Sequence, residues 1–110
     1  MRGFGAEAVR HALSRMAELG YLDDRAYAEQ WVRSRMSSKN EGWKALYRGL
    51  LGKGVPRALA EEVVTAQCSP QEELVSARAL AAGLTAALAA RRLAGRGFRS
   101  RTIAAVLREM

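Results

Sequence analysis

The chain has 110 residues, of which 49% are apolar and 26% are charged. This is the length of one ordinary domain and the composition of a folded protein, which excludes a disordered chain. A single cysteine, Cys68, excludes an internal disulfide, and no series of charged, apolar and small residues resembles a secretion signal, so we expect a cytoplasmic protein. No apolar stretch approaches the about 20 residues of a membrane span.

The charge of the chain is positive and uneven. The formal net charge is +7, and 15 of the 18 basic residues are arginine. Residues 1–73 carry eleven basic and ten acidic groups, whereas residues 74–110 carry seven and one. Arginine suits phosphate and carboxylate groups, so this distribution predicts an acidic partner. The alternative is a solvated helical surface that is simply rich in arginine.

A short signature occurs three times, as Arg2-Gly3-Phe4, Lys53-Gly54-Val55 and Arg96-Gly97-Phe98. After each glycine, the positions +1, +6, +9 and +10 are apolar in all three segments. Spacings of three and four are typical of one face of an α-helix. We therefore predict a helix after each signature, and also before the second and third, with the glycine in a left-handed turn.

Other helix starts follow from capping patterns. Leu22-Asp23-Asp24, Ser38-Lys39-Asn40-Glu41 and Ser69-Pro70-Gln71-Glu72 each precede an apolar periodic segment. With 21 alanines and no sustained β-branched run, the chain is predicted to be all-α. In chain order we predict seven helices, at residues 5–19, 24–36, 41–52, 57–67, 70–82, 84–95 and 100–109.

These helices predict tandem three-helix repeats in an elongated, curved stack. The expected boundaries are 1–37 for the first repeat, 38–83 for the second and 84–110 for the third. The first repeat lacks its leading helix and the third lacks its closing helix. We therefore expect the apolar face of the first helix to be exposed.

The residues of enzyme chemistry are sparse. His11 is the only histidine and Cys68 the only thiol, so neither a histidine-based catalytic site nor a metal site is expected. Asp23 and Asp24 could form an acid and base pair, but their place before a helix favours capping. Gly49, Gly52 and Gly54 lack the spacing of a phosphate loop. We therefore expect no enzyme activity and no cofactor.

Two sets of basic residues are candidates for partner contacts. One surrounds the third glycine turn and the other surrounds the predicted loop at residues 36–41. Trp43 and Tyr47, four positions apart beside basic residues, could stack on bases, although core packing is the more common role of such a pair. The candidates are Arg25, Arg33, Lys39, Lys44 and Arg48 in one set and Arg91, Arg92, Arg96, Arg99 and Arg101 in the other.

The signature, together with the stretch Leu19-Gly20-Tyr21-Leu22-Asp23-Asp24 and Tyr27-Ala28, resembles the RecX family over nearly all of the chain. The resemblance implies a noncatalytic regulator built from three-helix repeats. Such a protein would bind RecA filaments on single-stranded DNA and mostly inhibit strand exchange and ATP hydrolysis, within DNA repair, recombination and the SOS response. We expect a monomer without membrane contact. The alternative function is a basic helical module that binds nucleic acid directly.

Overall fold

The structure, a computed structural model, describes residues 5–110, apart from the side chains of Leu13 and Ala17. The described residues form six α-helices: α1 (Ala6–Ser38), α2 (Trp43–Gly52), α3 (Arg57–Gln67), α4 (Pro70–Ala81), α5 (Ala86–Gly95) and α6 (Ser100–Glu109). No strand occurs among them. The predicted all-α class is confirmed, and the number of helices is close to the predicted seven.

The difference of one helix lies in α1. The predicted break between residues 19 and 24 is wrong, because α1 runs without interruption through Gly20, Asp23 and Asp24. Every side chain described between Gly5 and Asp24 is exposed. No other described helix covers these side chains, so packing does not favour a break there, and an interior glycine costs only about 1 kcal/mol. The two aspartates are therefore interior helix residues and not caps.

The helices pack in two groups of three. The first group, here called the first unit, comprises the part of α1 from Asp24 onwards with α2 and α3, and its core contains Ala28, Leu46 and Val63. The second unit comprises α4, α5 and α6, with Ala77, Leu93 and Phe98 in its core. This grouping describes which helices share a core. The predicted repeat boundaries after residues 37 and 83 describe the periodicity of the sequence instead, and they remain predictions.

The glycine turns within both units have the predicted conformation. Gly54 and Gly97 have φ angles of 87° and 80°, in the left-handed region where a β-carbon is disfavoured. The N–H of Val55 donates to Leu50 O at 3.1 Å, and that of Phe98 donates to Leu93 O at 3.1 Å. These bonds define Schellman caps, which end α2 and α5 and place the next apolar residue against the core. The first signature, Arg2-Gly3-Phe4, lies outside the described residues.

The predicted register is confirmed in these two units and not in the first segment. Residues at +1, +6, +9 and +10 from Gly54 are buried, and those from Gly97 are buried or partly buried. In the first segment Val9 and Ala12 are exposed, as expected for a helix without its partner. The part of α1 from Ala6 to Asp23, here called the overhang, extends beyond both cores.

The two other capping predictions have different outcomes. Ser69 Oγ accepts from Glu72 N at 3.2 Å, so the start of α4 is confirmed. The cap predicted at residues 38–41 is wrong, since α2 begins after Gly42 and has no side-chain cap. Glu41 instead forms an ion pair with Arg35 of α1 at 2.6 Å.

The molecule is elongated, as predicted. Its principal extents are 72 × 21 × 21 Å and its radius of gyration is 19.4 Å, against about 13 Å for a compact domain of this size. Among the helices of residues 5–110, none combines the length and the apolar composition that crossing a membrane requires.

Candidate partner interface at the junction of the two units

The N-terminus of α2 docks on the turn between α5 and α6. Gly42 N donates to Arg96 O at 3.0 Å, and Lys44 N donates to Gly97 O at 2.9 Å. The first N–H groups of a helix have no partner within the helix, and the last carbonyl groups of a helix are equally unpaired. The two helix ends therefore satisfy each other, with the positive end of one helix dipole against the negative end of the other.

Glu73 of α4 completes this contact. Its carboxylate is fully buried and accepts from Trp43 N at 2.6 Å, from Arg99 Nε at 3.0 Å and from the Thr102 hydroxyl. Arg99 also donates to Cys68 O at 3.1 Å. A buried carboxylate is tolerated only when it is paired and hydrogen-bonded, and Glu73 meets that condition. The three donors come from both units, so the carboxylate fixes one unit relative to the other.

Two glycines permit this close approach. A β-carbon on Gly42 would lie 2.4 Å from the Phe98 α-carbon, and one on Gly97 would lie 2.5 Å from the Ala45 nitrogen. Contacts this short with backbone atoms are not possible without moving the chain. Only glycine at both positions lets the backbones form their hydrogen bonds. We use the word junction for Gly42, Trp43 and Lys44 of the first unit with Glu73, Arg96 and Gly97 of the second.

Half of the candidate basic residues lie in the junction or on the two helices that meet there. Lys44 and Arg96 belong to the junction, Arg48 lies four positions further along α2, and Arg91 and Arg92 lie on α5. All five are exposed, and none forms an ion pair within residues 5–110. They present positive charge beside a rigid contact, where phosphate or carboxylate groups could bind. We call them the basic junction set: Lys44, Arg48, Arg91, Arg92 and Arg96.

The repeat explains part of this arrangement. Arg48 and Arg91 stand 43 positions apart, which is also the distance between Gly54 and Gly97. They therefore occupy equivalent positions in the two units, each on the middle helix. The exposed arginine on the middle helix of the first unit thus recurs at the same position in the second unit.

Two candidates have structural roles instead. The Arg99 side chain is only 19% exposed and pairs with Glu73, so it belongs to the interior of the junction. Arg25 pairs with Glu62 of α3 at 2.6 Å and donates to the Tyr21 hydroxyl at 3.1 Å. These partners raise the Arg25 pKa above its ordinary value, with the Tyr21 hydrogen bond as the largest cause.

The remaining three candidates lie apart from the junction set. Arg33 is exposed on α1 in an open groove that Met36 and Val75 also line. Lys39 is exposed at the end of α1, where its N–H donates to Arg35 O at 2.8 Å. Arg101 is exposed on α6 in a shallow groove beside α4.

The aromatic pair packs against the core. The Trp43 and Tyr47 rings stack on each other with centroids 5.0 Å apart, and both pack against the first cluster. Trp43 Nε1 donates to Thr65 Oγ1 at 3.2 Å. Core packing, the more common role, is therefore confirmed over base stacking.

Sequence reasoning missed two contacts. The Trp31 ring packs against Gly49, where an added β-carbon would lie only 2.2 Å from the ring. The Arg35 guanidinium lies over the same ring, 5.1 Å from its centroid. Glu73 was also missed, because in sequence it is one more acidic residue in the first turn of a helix. The only signal was the periodicity, which places Glu73 four positions before the buried Ala77.

Within residues 5–110, no cluster of three metal-ligating side chains occurs. Cys68 is buried, and burial, with a smaller contribution from the charge of Glu73, raises its pKa to about 11. The groups that the basic junction set offers to a partner are the N–H donors and the positive charges of its lysine and arginine side chains.

The fold and the junction define a class: a protein of tandem three-helix units joined end to end. Comparison with known proteins assigns the family. Residues 23–64 match the profile described as RecX, second three-helix domain, which covers the first unit. A crystal structure of RecX from Lactobacillus salivarius has the same fold, with a TM-score of 0.76 over 96% of this chain and 75% of that one, at 20% identity.

Curated relatives agree. The chain is 39% identical over 95 residues to the regulatory protein RecX of Thermus thermophilus, which corresponds to 86% of this chain and 65% of that protein. It is 38% identical over 96 residues to that of Streptomyces coelicolor, or 81% of this chain and 50% of that protein. The chain belongs to the RecX family and spans about half to two thirds of the length of these relatives.

Proposed function

We propose that this protein binds RecA filaments on single-stranded DNA and modulates, mostly inhibits, strand exchange and ATP hydrolysis. Membership of the RecX family is the observation that carries this proposal. The protein acts by binding and without catalysis of its own, as a cytoplasmic monomer in recombination and DNA repair.

The basic junction set is the part of the surface that we assign to this contact. Its five cations extend over both units, in a molecule whose longest extent, 72 Å, includes the overhang. A rigid pair of units can contact more than one protomer of a filament if its charges keep a fixed spacing. Glu73 and the two junction glycines supply that rigidity.

A titration of the protein into RecA on single-stranded DNA, with ATP hydrolysis as the readout, tests the proposal. The rate is expected to fall as the protein saturates the filament. An unchanged rate at saturation, with binding verified by co-sedimentation, rules out the modulation of ATP hydrolysis.

Direct binding of nucleic acid is the second candidate, favoured by the cations of the junction set, which are exposed and form no ion pair with another described residue. The two functions differ in their response to salt. For bare single-stranded DNA bound through phosphates alone, the logarithm of the association constant falls linearly with the logarithm of salt concentration. If the filament is the partner, binding to RecA-coated DNA exceeds binding to bare DNA at each salt concentration. Equal affinities would favour the second candidate.

A further inference from the structure

A groove on the second unit runs between α4 and α6 and combines apolar residues with two cations. Its volume is about 240 Å³, and it is lined by Pro70, Leu74, Arg101, Thr102, Ala105 and Arg108. These residues all belong to α4 or α6, and α5 packs against both helices. The groove therefore opens on the side of the second unit opposite α5, away from Arg91 and Arg92 of the basic junction set.

One face of α6 forms the cationic wall of the groove. Arg101, Ala105 and Arg108 follow one another at spacings of four and three, so they project from the same side of the helix. The two arginines are about 10.5 Å apart along the helix axis, and the small Ala105 side chain between them leaves room for a partner. Both arginines are exposed, and neither forms an ion pair with another residue in the range 5–110.

The acidic residues of the same two helices do not neutralise these arginines. Glu109 accepts hydrogen bonds from Arg78 at 2.9 and 2.5 Å. Glu73 is buried inside the junction, and Glu72 lines a different groove, beside Arg33 of α1. The groove between α4 and α6 therefore presents positive charge beside an apolar floor.

We propose that this groove binds a helix of another protein that carries two carboxylates seven positions apart with an aliphatic residue between them. Seven residues make almost two helical turns, so both carboxylates project from one face at the spacing of Arg101 and Arg108. The aliphatic side chain, four positions after the first carboxylate, packs against Leu74 and Ala105. Apolar burial holds the helix in the groove, and the two ion pairs set its register. This surface is separate from the basic junction set, so a protein bound here does not compete for that set.

Two other anionic partners fit the groove less well. A second copy of this chain lacks the pattern, because none of its aspartates or glutamates is followed by another seven positions later. A single-stranded nucleic acid offers phosphates, but none of the described lining residues is aromatic and suited to base stacking. A phosphate backbone would also leave the apolar floor at Leu74 uncovered. The floor and the cations together therefore favour an acidic helix.

The test uses a fluorescent helical peptide with glutamate at two positions seven apart and leucine four positions after the first. A side-chain staple on the opposite face keeps the peptide helical. Fluorescence anisotropy measures its affinity for the full chain. A control peptide with glutamine in place of both glutamates is expected to bind about tenfold more weakly or worse, since both charge-assisted contacts are lost. A second control, with alanine in place of the leucine, is expected to bind severalfold more weakly.

Variants of the chain locate the site. Arg101→Gln combined with Arg108→Gln is expected to weaken binding of the glutamate peptide about tenfold or more. Arg10→Gln combined with Arg15→Gln removes the same charge from exposed positions of the overhang and is expected to leave the affinity unchanged. Circular dichroism checks that both double variants keep their helicity. In the ¹⁵N-labelled chain, the peptide is expected to shift amide signals at residues 71–75 and 101–108.

The outcomes that overturn the proposal are distinct. They are the absence of binding at millimolar peptide, equal affinities of the two double variants, and shifts confined to residues 44–48 and 91–96. Equal affinities of the leucine and alanine peptides would show that the apolar floor takes no part. A single-stranded oligonucleotide that shifts residues 101–108 at lower concentration than the peptide would assign the groove to phosphates instead.

Discussion

The backbone N–H of Trp43 donates to the buried carboxylate of Glu73 at 2.6 Å, although the two residues are 30 positions apart. Through this bond α4 of the second unit holds the first turn of α2 in the first. The carboxylate also accepts from Arg99 and Thr102, so its removal leaves three donors without their partner. The stability of the chain should therefore depend on Glu73 more than on its exposed neighbours.

Replacing Glu73 by alanine is expected to lower the free energy of unfolding by about 3–5 kcal/mol, because it leaves the Arg99 charge unpaired in a poorly exposed site. Urea denaturation followed by circular dichroism measures this change. Glu72→Ala, on the adjacent exposed position, should cost no more than about 0.5 kcal/mol. Similar losses in the two variants would show that the Glu73 contacts do not stabilise the junction.

The two turn glycines allow a matched comparison. Gly54→Ala should cost about 1–2 kcal/mol, since the only penalty is a side chain in a left-handed conformation. Gly97→Ala carries the same penalty and also forces a β-carbon against Ala45, which should add about 1–3 kcal/mol. Urea unfolding of both variants gives the difference. If Gly54→Ala is equally or more destabilising, the close approach at the junction is not the cause.

The overhang is expected to exchange its amide hydrogens quickly. Its described side chains are exposed between Gly5 and Asp24, and an isolated helix of about 15 residues is marginal in water. Hydrogen–deuterium exchange should therefore give amides 8–20 protection factors about a hundredfold or more below those of α3. Equal protection in the two segments would mean that another surface covers the overhang in solution.

Cys68 is expected to resist thiol reagents in the native protein. A pKa of about 11 in place of 9.0 lowers the thiolate fraction at pH 8 about a hundredfold, and burial also blocks access. Labelling with a chromogenic disulfide should be slow in buffer and complete in urea. Rapid labelling of native protein at pH 8 would contradict the buried position.

The same shift makes a stability prediction with a definite sign. The native thiol keeps its proton up to about pH 11, whereas the unfolded thiol loses it from about pH 9. This contribution to stability is therefore fully present below pH 9 and is lost as pH rises to 11. Between pH 9 and 11 the free energy of unfolding of Cys68→Ala should fall less than that of the unmodified chain. The two proteins share all their other titrating groups, so the difference reports the Cys68 thiol alone. Parallel losses would exclude the linkage.

Charge reversal tests the basic junction set. Changing Arg48, Arg91, Arg92 and Arg96 to glutamate should weaken binding to RecA filaments about tenfold or more, since charge-assisted contacts become repulsive. Because all four side chains are exposed, the circular dichroism spectrum should be unchanged. Arg10, Arg15, Arg57 and Arg108 are also exposed and give a control with the same change in net charge. Equal weakening by both sets would indicate a nonspecific charge effect.

Local pattern predicted most of the fold. The turns at Gly54 and Gly97 were recognisable because a glycine after an apolar helical face has few other roles. The start of α4 was recognisable from Ser69 and Pro70. The predicted break before Asp24 was wrong because a capping pattern alone does not end a helix. It marks a turn only where neighbouring helices pack against the chain on both sides of that turn.

The candidate site was predicted only in part. The sequence identified the basic residues but could not separate Arg96, which is exposed, from Arg99, which is paired with Glu73. These two residues stand three positions apart, and their environments depend on a carboxylate from another helix. Likewise, nothing in the sequence distinguishes Gly42, which needs its lack of a side chain, from Gly52, which has open space around it.

The sequence by itself determined the helical class, the repeat and its glycine turns, because these depend on contacts within a few residues of one another. The tertiary structure alone decided which helices share a core, which arginines remain exposed and how α2 meets α5. These features depend on pairs such as Glu73 with Trp43, which lie far apart in the chain. Periodicity shows which face of a helix is buried, but the partner on that face is set by packing.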